Sequence, residues 1–578
     1  MREKAVSFFG LGYVGLTTAV CFASRGFKVL CFDVDEGKVK AVNSGRASFY
    51  EPMLEELLRK TIDGGLLRAT VNPVESVLNS GVTFVTVGTP SREDGSIDLK
   101  YVEEASRMIG EALHHKDEWH LLVVKSTVTP TASERVVKRI IEEKSGKHCG
   151  PDFGLCVNPE FLREGNAVED TFKPDRIVIG GSDKRSGDML EELYKKFYGE
   201  NIPPIIRTTP VNAELIKYAN NAFLATKISF INTIANLCQK LPGADVEAIA
   251  EGIGLDRRIG SLFLKAGIGW GGSCFLKDLK ALLNFSLKNE VELPVVEATL
   301  RVNETQPYKI VELAKEVVGS LENRRISVLG LSFKPGTDDM RYAVSVKVVS
   351  RLLGEGAKVF AYDPNAMSNA RKIFGESVEY ADSIEECLKG SECALIVTEW
   401  NEFKNLKPED FTRLMKIPAV VDGRRIYNPE TYSKKLRFKA IGLGERQYHN
   451  PALAVNAIIS KDDSILLVKR GVEPFKELWS LPGGFVEYDE TVEDSIVREV
   501  KEETGLSVEP VKVVGVYSQP TRSPAKHVVT ICYQCSILGG ELKASDENIE
   551  AKFFTVEGLP GQLAFDHLKI IEDYLKGK

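Results

Sequence analysis

The run AVSFF at residues 5–9 passes directly into GLGYVGL, and the next apolar run, KVLCF, leads to Asp33. Gly10, Gly12 and Gly15 stand in GxGxxG register between a strand and a helical stretch, with an acidic residue about 20 positions on. The spacing predicts strand, turn, helix, strand. A bare GxGxxG suits equally well a turn that only packs a helix on a sheet; the flanking strand and Asp33 favour a dinucleotide site. There the glycines let a pyrophosphate approach the helix N-terminus, and Asp33 accepts from ribose hydroxyls. An acid at this position selects NAD over NADP.

Further apolar runs, VTFVTVG and HLLVVKS, alternate with helical stretches, so residues 1–205 read as a parallel sheet with helices on both faces. From Thr209 to Leu241 no strong breaker interrupts the helical spacing. A helix of about 30 residues spans on the order of 45 Å, enough to tie two globular halves together and to offer a subunit contact. It opens a helical region over 206–321. At Arg325 the strand–turn–helix–strand pattern returns as ISVLGLSFKPG, VSVKVVSRLL and KVFAYDPN, with Asp363 where Asp33 stood, which predicts a second doubly wound domain over 322–446. The character changes after Gln447, and NAIISKDDSILLVKR opens a last domain, 447–578. A chain of 578 residues needs several cores in any case.

Composition excludes some classes. With 43% hydrophobic and 27% charged residues the chain is expected to fold almost throughout, and a net charge of -7 with both signs interspersed gives no broad basic surface for nucleic acid or anionic membrane. No apolar stretch reaches membrane-span length and no signal peptide is legible. Ten scattered cysteines read as reduced thiols of a cytoplasmic protein. Cys532 and Cys535 form a lone CxxC within a strand-like run, too few ligands for structural zinc.

Two segments carry chemistry. GIGWGGSCFLKD sets Cys274 in a glycine-rich loop four residues before Asp278, with no histidine within a hundred residues. Read alone, it fits a buried bystander thiol as well as a nucleophile. In LPGGFVEYDETVEDSIVREVKEETGL, Gly484, Glu490 and Gly505 frame Glu499, Glu502 and Glu503, whose spacing of three and four residues puts the carboxylates on one helical face. Such anions repel unless a cation lies between them, and oxygen-only ligands suit Mg²⁺, with Arg498 neutralising part of the charge. An acidic solvated helix would not require the framing residues.

The segments GLGYVGL, YEPMLEELL, VTVGTP, KSTVTP, NPEFLREGNAVEDTFKPDRIVIGG, AELIKYANNAFLATKISFIN, GWGGSCFLKD and FKPGTDDMRYAVS together resemble the UDP-glucose/GDP-mannose dehydrogenase family over nearly all of residues 1–440. The C-terminal segment resembles the Nudix box at every defined position. The implied fold is α/β: two Rossmann-like doubly wound domains joined by a long central helix, plus a C-terminal α/β Nudix fold. The resemblance implies oxidation of a nucleotide sugar at C6 with two NAD, UDP-glucose being favoured over GDP-mannose or UDP-N-acetylmannosamine by the NPEFLREG region and the TEW at 398–400.

Carried over by position, it makes Cys274 the nucleophile, Lys217 and Asn221 the oxyanion partners, and Asp278 with Thr127, through water, the proton carriers, with either Lys217 or Asp278 through water taking the first proton. Glu160 would assist thioester hydrolysis and Glu164 would support the proton network. Gly10, Gly12, Gly15, Asp33, Lys38, Thr89, Thr127, Lys277 and Arg341 fall at cofactor positions. Glu160, Phe161, Leu162, Lys217, Asn221, Lys265, Gly271, Lys334 and Arg424 fall at substrate positions, Arg424 as a residue that would reach a neighbouring active site. A homo-oligomer is implied. For the Nudix part the implied activity is hydrolysis of a nucleoside diphosphate derivative by metal-activated water, with Glu547 a further acidic candidate. YSQPTRSPAKHVVTICY resembles the ADP-ribose pyrophosphatase subgroup but has Ser523 where that subgroup has an acid. A Nudix domain that only binds nucleotide and regulates, and a scaffold with neither site working, are the competing classes.

Overall fold

The computed structural model describes residues 5–445, 450–524, 526–545 and 548–577. It divides into two compact units, Met1–Arg446 and Gln447–Lys578.

The first unit opens with an eight-stranded sheet: β1 (Ala5–Phe9), β2 (Val29–Phe32), β3 (Leu67–Thr70), β4 (Ser80–Val85), β5 (His120–Val124), β6 (Phe153–Val157), β7 (Ile177–Gly181) and β8 (Ile205–Thr208). Their order is 3-2-1-4-5-6-7-8. The order in which successive strands are added reverses between β1 and β4, which pair parallel, and this is the switch point at which open α/β sheets bind ligands. Helix α1 (Tyr13–Ser24) packs Leu16, Val20 and Phe22 onto the sheet, where Phe22 meets Phe197 with ring centroids 4.5 Å apart. Each such ring buried whole contributes about 1.5–3 kcal/mol, and this packing anchors the glycine turn that precedes α1. One expectation is corrected: β6 and β7 pair antiparallel, so the sheet is not wholly parallel. Both strands are buried along almost their whole length, and such strands give no alternation from which direction can be read.

The predicted long helix is α2 (Pro210–Cys238), 29 residues and so about 44 Å. Thr209 caps it by accepting the Asn212 N–H, and Pro210 starts it without an N–H to satisfy. Helix α3 (Phe275–Lys288) packs against it and begins at Cys274.

A second sheet follows, β9 (Arg325–Leu329), β10 (Lys358–Tyr362), β11 (Glu379–Tyr380), β12 (Cys393–Ile396), β13 (Ala419–Asp422) and β14 (Arg437–Ala440), all parallel and ordered 11-10-9-12-13-14. The two sheets repeat the same turn chemistry. Asp33 accepts from the Leu11 N–H at 2.8 Å, and Asp363 accepts from the Leu331 N–H at 2.7 Å. Helix α4 (Val344–Gly354) covers the second sheet through Val344, Val348 and Leu352.

The second unit has a mixed sheet of β15 (Ala452–Lys461), β16 (Ser464–Arg470), β17 (Trp479–Ser480), β18 (Leu506–Tyr517), β19 (Val528–Gly540) and β20 (Asn548–Thr555), ordered 17-16-15-19-18 with β20 beside β16. The β15–β16 hairpin turns at Asp462 and Asp463, both with positive φ, as a tight primed turn requires. Alternation along β15 sorts its core. Val455, Ala457 and Ile459 face α5 (Val492–Thr504), and Ile458 faces α6 (His567–Lys576). Cys532 and Cys535 lie in β19 as free buried thiols. Among the described residues no helix is long and apolar enough to cross a membrane.

Candidate active site

The glycine turn is shaped for a close-lying ligand. A Cβ on Gly15 would come 1.9 Å from the Gly10 carbonyl oxygen, and one on Gly10, whose φ is +105, would meet the Thr86–Val87 backbone at 3.0–3.1 Å. Beside Gly12 the space is open, and α1 has no side-chain cap, so its first N–H groups face outward. Asp33 does more than await a ribose. Its Oδ2 accepts from Leu11 and its Oδ1 from the Asp35 N–H at 3.0 Å, with Lys38 Nζ 3.7 Å away. Each oxygen keeps a lone pair, so the residues fit the adenosine end of a dinucleotide. Thr89 and Thr127 are half-buried in the loops leaving β4 and β5 at the same sheet edge.

Glu160, Phe161, Leu162, Lys217, Asn221 and Cys274 line one cleft. Lys217 Nζ is 2.8 Å from Glu160 Oε1 and donates also to the Glu160 carbonyl at 2.8 Å, while Glu160 Oε2 accepts the Leu162 N–H at 2.6 Å. One turn along α2, Asn221 Nδ2 donates to Asp278 Oδ2 at 2.7 Å, and Lys277 Nζ pairs with Asp278 Oδ1 at 2.8 Å. Two residues spaced by four on one helix thus hold two carboxylates on either side of Cys274.

The electrostatics follow from burial. Desolvation works to raise the Glu160 carboxyl, but the charge and hydrogen bond of Lys217, the Leu162 amide and Lys125 outweigh it and hold Glu160 below its ordinary value. Desolvation likewise opposes the Lys217 charge, and Glu160 and Asp278 carry it above the usual lysine value. Cys274 is open to the cleft, yet the surrounding walls push its thiol up, with Glu160 adding and Lys217 opposing. At neutral pH Cys274 therefore rests as a thiol.

Glu164 lies in an adjoining cleft with Asp339 and Arg341. Burial and the Asp339 charge push its carboxyl up to about 7, against Arg341 and Lys334. Arg341 Nη2 is 3.3 Å from Glu164 Oε1, Lys334 Nζ donates to the Glu164 carbonyl, and Ser273 Oγ donates to Glu164 Oε1 at 3.5 Å. Gly271 meets the Tyr342 carbonyl so closely, 2.6 Å from an ideal Cβ, that no side chain fits.

Two expected site residues do not line this cleft. Within its own chain the buried guanidinium of Arg424 donates to the carbonyls of Val397 at 2.6 Å and Gly269 at 2.9 Å and lies 3.5 Å from the Glu399 carboxylate. It braces the loop that leads to Cys274. Lys265 is exposed, has Glu247 as a charged neighbour and does not line the cleft.

Sequence reasoning missed the clamp on the substrate segment. Buried Glu51 accepts the N–H groups of Gly165 and Ala167, each at 2.7 Å, and the Tyr13 hydroxyl, and so ties the glycine turn to the segment carrying Glu160 and Glu164. The signal was an acid before proline in YEPML, a segment noted only for its resemblance.

In the second unit Arg498 holds Glu490 through two bonds of 3.1 and 2.7 Å, Glu499 at 2.9 Å, Glu502 at 3.3 Å and the Phe485 carbonyl at 3.1 Å. Glu503 accepts the Gly483 N–H at 2.8 Å, and burial with the Glu499 charge pushes it up to about 7. Burial raises Glu499 too, against Arg498. The oxygen-only donors and their mutual repulsion fit a hard divalent cation. Among the described residues, however, no three converge as a ready metal cluster, because Arg498 engages Glu499 and Glu502. Glu547 lies outside the described residues.

The family profiles for the UDP-glucose/GDP-mannose dehydrogenase NAD-binding, central and UDP-binding domains match residues 4–198, 211–305 and 327–429, and the NUDIX domain profile matches 450–574. The chain is 44% identical over 422 residues to UDP-glucose 6-dehydrogenase AglM of Haloferax volcanii, covering 73% of this chain and 96% of that protein. The UDP-glucose dehydrogenase structure from Pyrobaculum islandicum superimposes with a TM-score of 0.70 at 41% identity, covering 76% of this chain and 98% of that one. The UDP-D-ManNAc dehydrogenase structure from Pyrococcus horikoshii gives 0.67 at 29% identity, covering 76% and 99%. The chain belongs to the UDP-glucose/GDP-mannose dehydrogenase family and carries a NUDIX domain after its three dehydrogenase domains.

Proposed function

We propose that the first unit oxidises UDP-glucose to UDP-glucuronate with two NAD, and that the second is a Mg²⁺-dependent hydrolase of nucleoside diphosphate derivatives. The observation that carries the first reading is the pairing of Lys217 with Glu160 and of Asn221 with Asp278 beside one open thiol. UDP-glucose is supported by the 44% and 41% identities to UDP-glucose dehydrogenases, against 29% to a UDP-D-ManNAc enzyme.

NAD, when bound at Gly10, Gly12, Gly15 and Asp33 with Lys38, Thr89, Thr127, Lys277 and Arg341 along its length, supplies the hydride acceptor. The chain does the rest. Phe161, Leu162, Gly271 and Lys334 border the sugar nucleotide. Asp278, with water on Thr127, receives the C6 hydroxyl proton as the aldehyde forms. Cys274 sulfur then bonds to C6 while its proton passes to the former carbonyl oxygen, giving a thiohemiacetal whose oxygen Lys217 and Asn221 stabilise. Loss of the second hydride and that proton leaves a thioester. Glu160 takes a proton from water, the water oxygen bonds C6, the C–S bond breaks and the sulfur regains a proton. Glu164, raised to about 7, accepts protons leaving the cleft.

Glu499, Glu502 and Glu503 would hold Mg²⁺, which polarises water and phosphate, and Arg498 would yield two of them on metal entry. Engagement of those carboxylates by Arg498 favours a second reading, a domain that binds nucleotide and regulates. The ten free cysteines support a reducing compartment such as the cytoplasm. Phe223, Phe230 and Leu237, exposed at seven-residue spacing along α2, support an oligomer. The test is NADH release from UDP-glucose, GDP-mannose and UDP-N-acetylmannosamine, then Mg²⁺-dependent hydrolysis of ADP-ribose and nucleotide sugars. No NADH from UDP-glucose would overturn the first reading. Binding of those ligands without hydrolysis would select the regulatory one.

A further inference from the structure

The cleft holds a second buried cation to which the chemistry above gives no task. Lys125 follows β5 directly, is 7% exposed, and lines the cleft shared by Glu160, Lys217 and Cys274. Its neighbour across the sheet is Asn158, two residues before Glu160, whose N–H bonds the Val124 carbonyl. Lys125 Nζ donates to Asn158 Oδ1 at 2.9 Å, the same oxygen accepts from the Tyr194 hydroxyl at 2.5 Å, and the Asn158 amide donates to the Val178 carbonyl at 2.8 Å. Among the described residues no carboxylate forms an ion pair with this ammonium; Glu160 and Lys217 are the charges that act on it. A buried cation held only by a neutral amide is costly, so its retention calls for a return elsewhere.

That return falls on Glu160. At rest Lys217 pairs with Glu160 at 2.8 Å, but as partner of a substrate oxyanion it must turn toward the sugar and loosen that pair. Glu160 would then face burial without its main cation at the stage when it must act as a base. We propose that Lys125 is a positioning residue that keeps Glu160 ionised while Lys217 serves the oxyanion, so that the thioester can be hydrolysed. The proposal rests on the dehydrogenase reading of Cys274 and Glu160. Lys125 is pulled down to about 8 by burial against the Glu160 charge, and it is one of the charges that lower Glu160.

The test uses the full chain with UDP-glucose and NAD, rapid quenching and intact-mass analysis. In Lys125→Met the first NADH still forms, and on the acid limb of the pH profile the thioester accumulates on Cys274 and turnover falls about tenfold as that limb moves up by about one unit, since below its pKa one unit is a tenfold change in a base's ionised fraction. Lys125→Arg restores turnover and removes the adduct. If Lys125→Met does not fold, Lys125→Gln keeps a donor to Asn158 without the charge and must give the same adduct. A wild-type pH profile without adduct in the charge-free variant, or first NADH and steady turnover falling together, overturns the proposal. Absence of NADH in the wild type itself would instead remove the dehydrogenase reading on which it stands.

Discussion

Replacing Lys217 by Met removes one charge from a pair whose side chains are 6% and 10% exposed and whose atoms lie 2.8 Å apart. At an effective dielectric of about 20, Coulomb's law gives roughly 6 kcal/mol for unit charges at that distance, an upper bound on the attraction lost. Deleting one partner of a buried pair costs about 3–5 kcal/mol, because the survivor stays buried. Here the survivor is Glu160, for which desolvation is the largest influence. The wild-type carboxyl is depressed, so it contributes stability above its unfolded pKa of about 4.3 that is lost as pH falls through the folded value. In Lys217→Met burial gains on Lys125 and the Leu162 amide, which remain, so the depression of Glu160 and the stability it contributes shrink. Urea unfolding followed by tryptophan fluorescence suits the assay, since Trp119, Trp270 and Trp400 lie in the first unit and Trp479 in the second. The variant is expected to lose about 3–5 kcal/mol at pH 7.5, to lose less as pH falls below about 4.3, where the wild-type contribution itself fades, and to regain most of it when Glu160→Gln is added. Its kcat should fall about 10²–10³-fold with the oxyanion partner gone. A loss below about 1 kcal/mol, or a double variant no more stable than the single, would refute the reasoning.

Asp33→Ala removes the brace on the Leu11 N–H as well as the ribose acceptor, so calorimetry should show weaker NAD binding and a reduced preference over NADP; unchanged NAD affinity would show that Asp33 is misassigned. Gly484→Ala places a Cβ 2.3–2.4 Å from the flexible Glu499 carboxylate, so Mg²⁺-dependent hydrolysis should fall at least tenfold while the melting temperature moves little, the cost of displacing a side-chain end being about 1 kcal/mol. Loss of folding, or retained hydrolysis, would contradict it. Glu164, raised to about 7, favours the folded state fully below about pH 4 and loses that contribution as pH rises through 7. Glu164→Gln should therefore flatten the stability profile between those values, and a profile parallel to the wild type would count against the assignment.

Much of this was legible in the residues because local pattern and tertiary need coincide. The strand at Ala5–Phe9, the glycine turn and the helix at Pro210–Cys238 fall where spacing put them, since each is set by contacts within a few residues. Lys217 and Asn221 share a helical face by periodicity, and the structure brings both to Cys274 from segments far apart in the chain. What escaped depends on direction and burial. Arg424 reads in the sequence as a residue for a neighbouring active site, and only the fold shows its bonds to two carbonyls of its own chain. Lys125 and Glu51 are ordinary charged residues until neighbouring strands and loops close over them. The β6–β7 reversal leaves no mark, because buried strands look alike in either direction.

Covalent four-electron oxidation fixes one stoichiometry. Wild-type protein given limiting UDP-glucose and excess NAD should form two NADH for each UDP-glucose consumed, with UDP-glucuronate as the product, no free aldehyde trapped by hydroxylamine, and a Cys274 thioester isolable on rapid quenching. One NADH per sugar with a trappable aldehyde, or the same two NADH from Cys274→Ser, would contradict covalent four-electron oxidation at this cysteine.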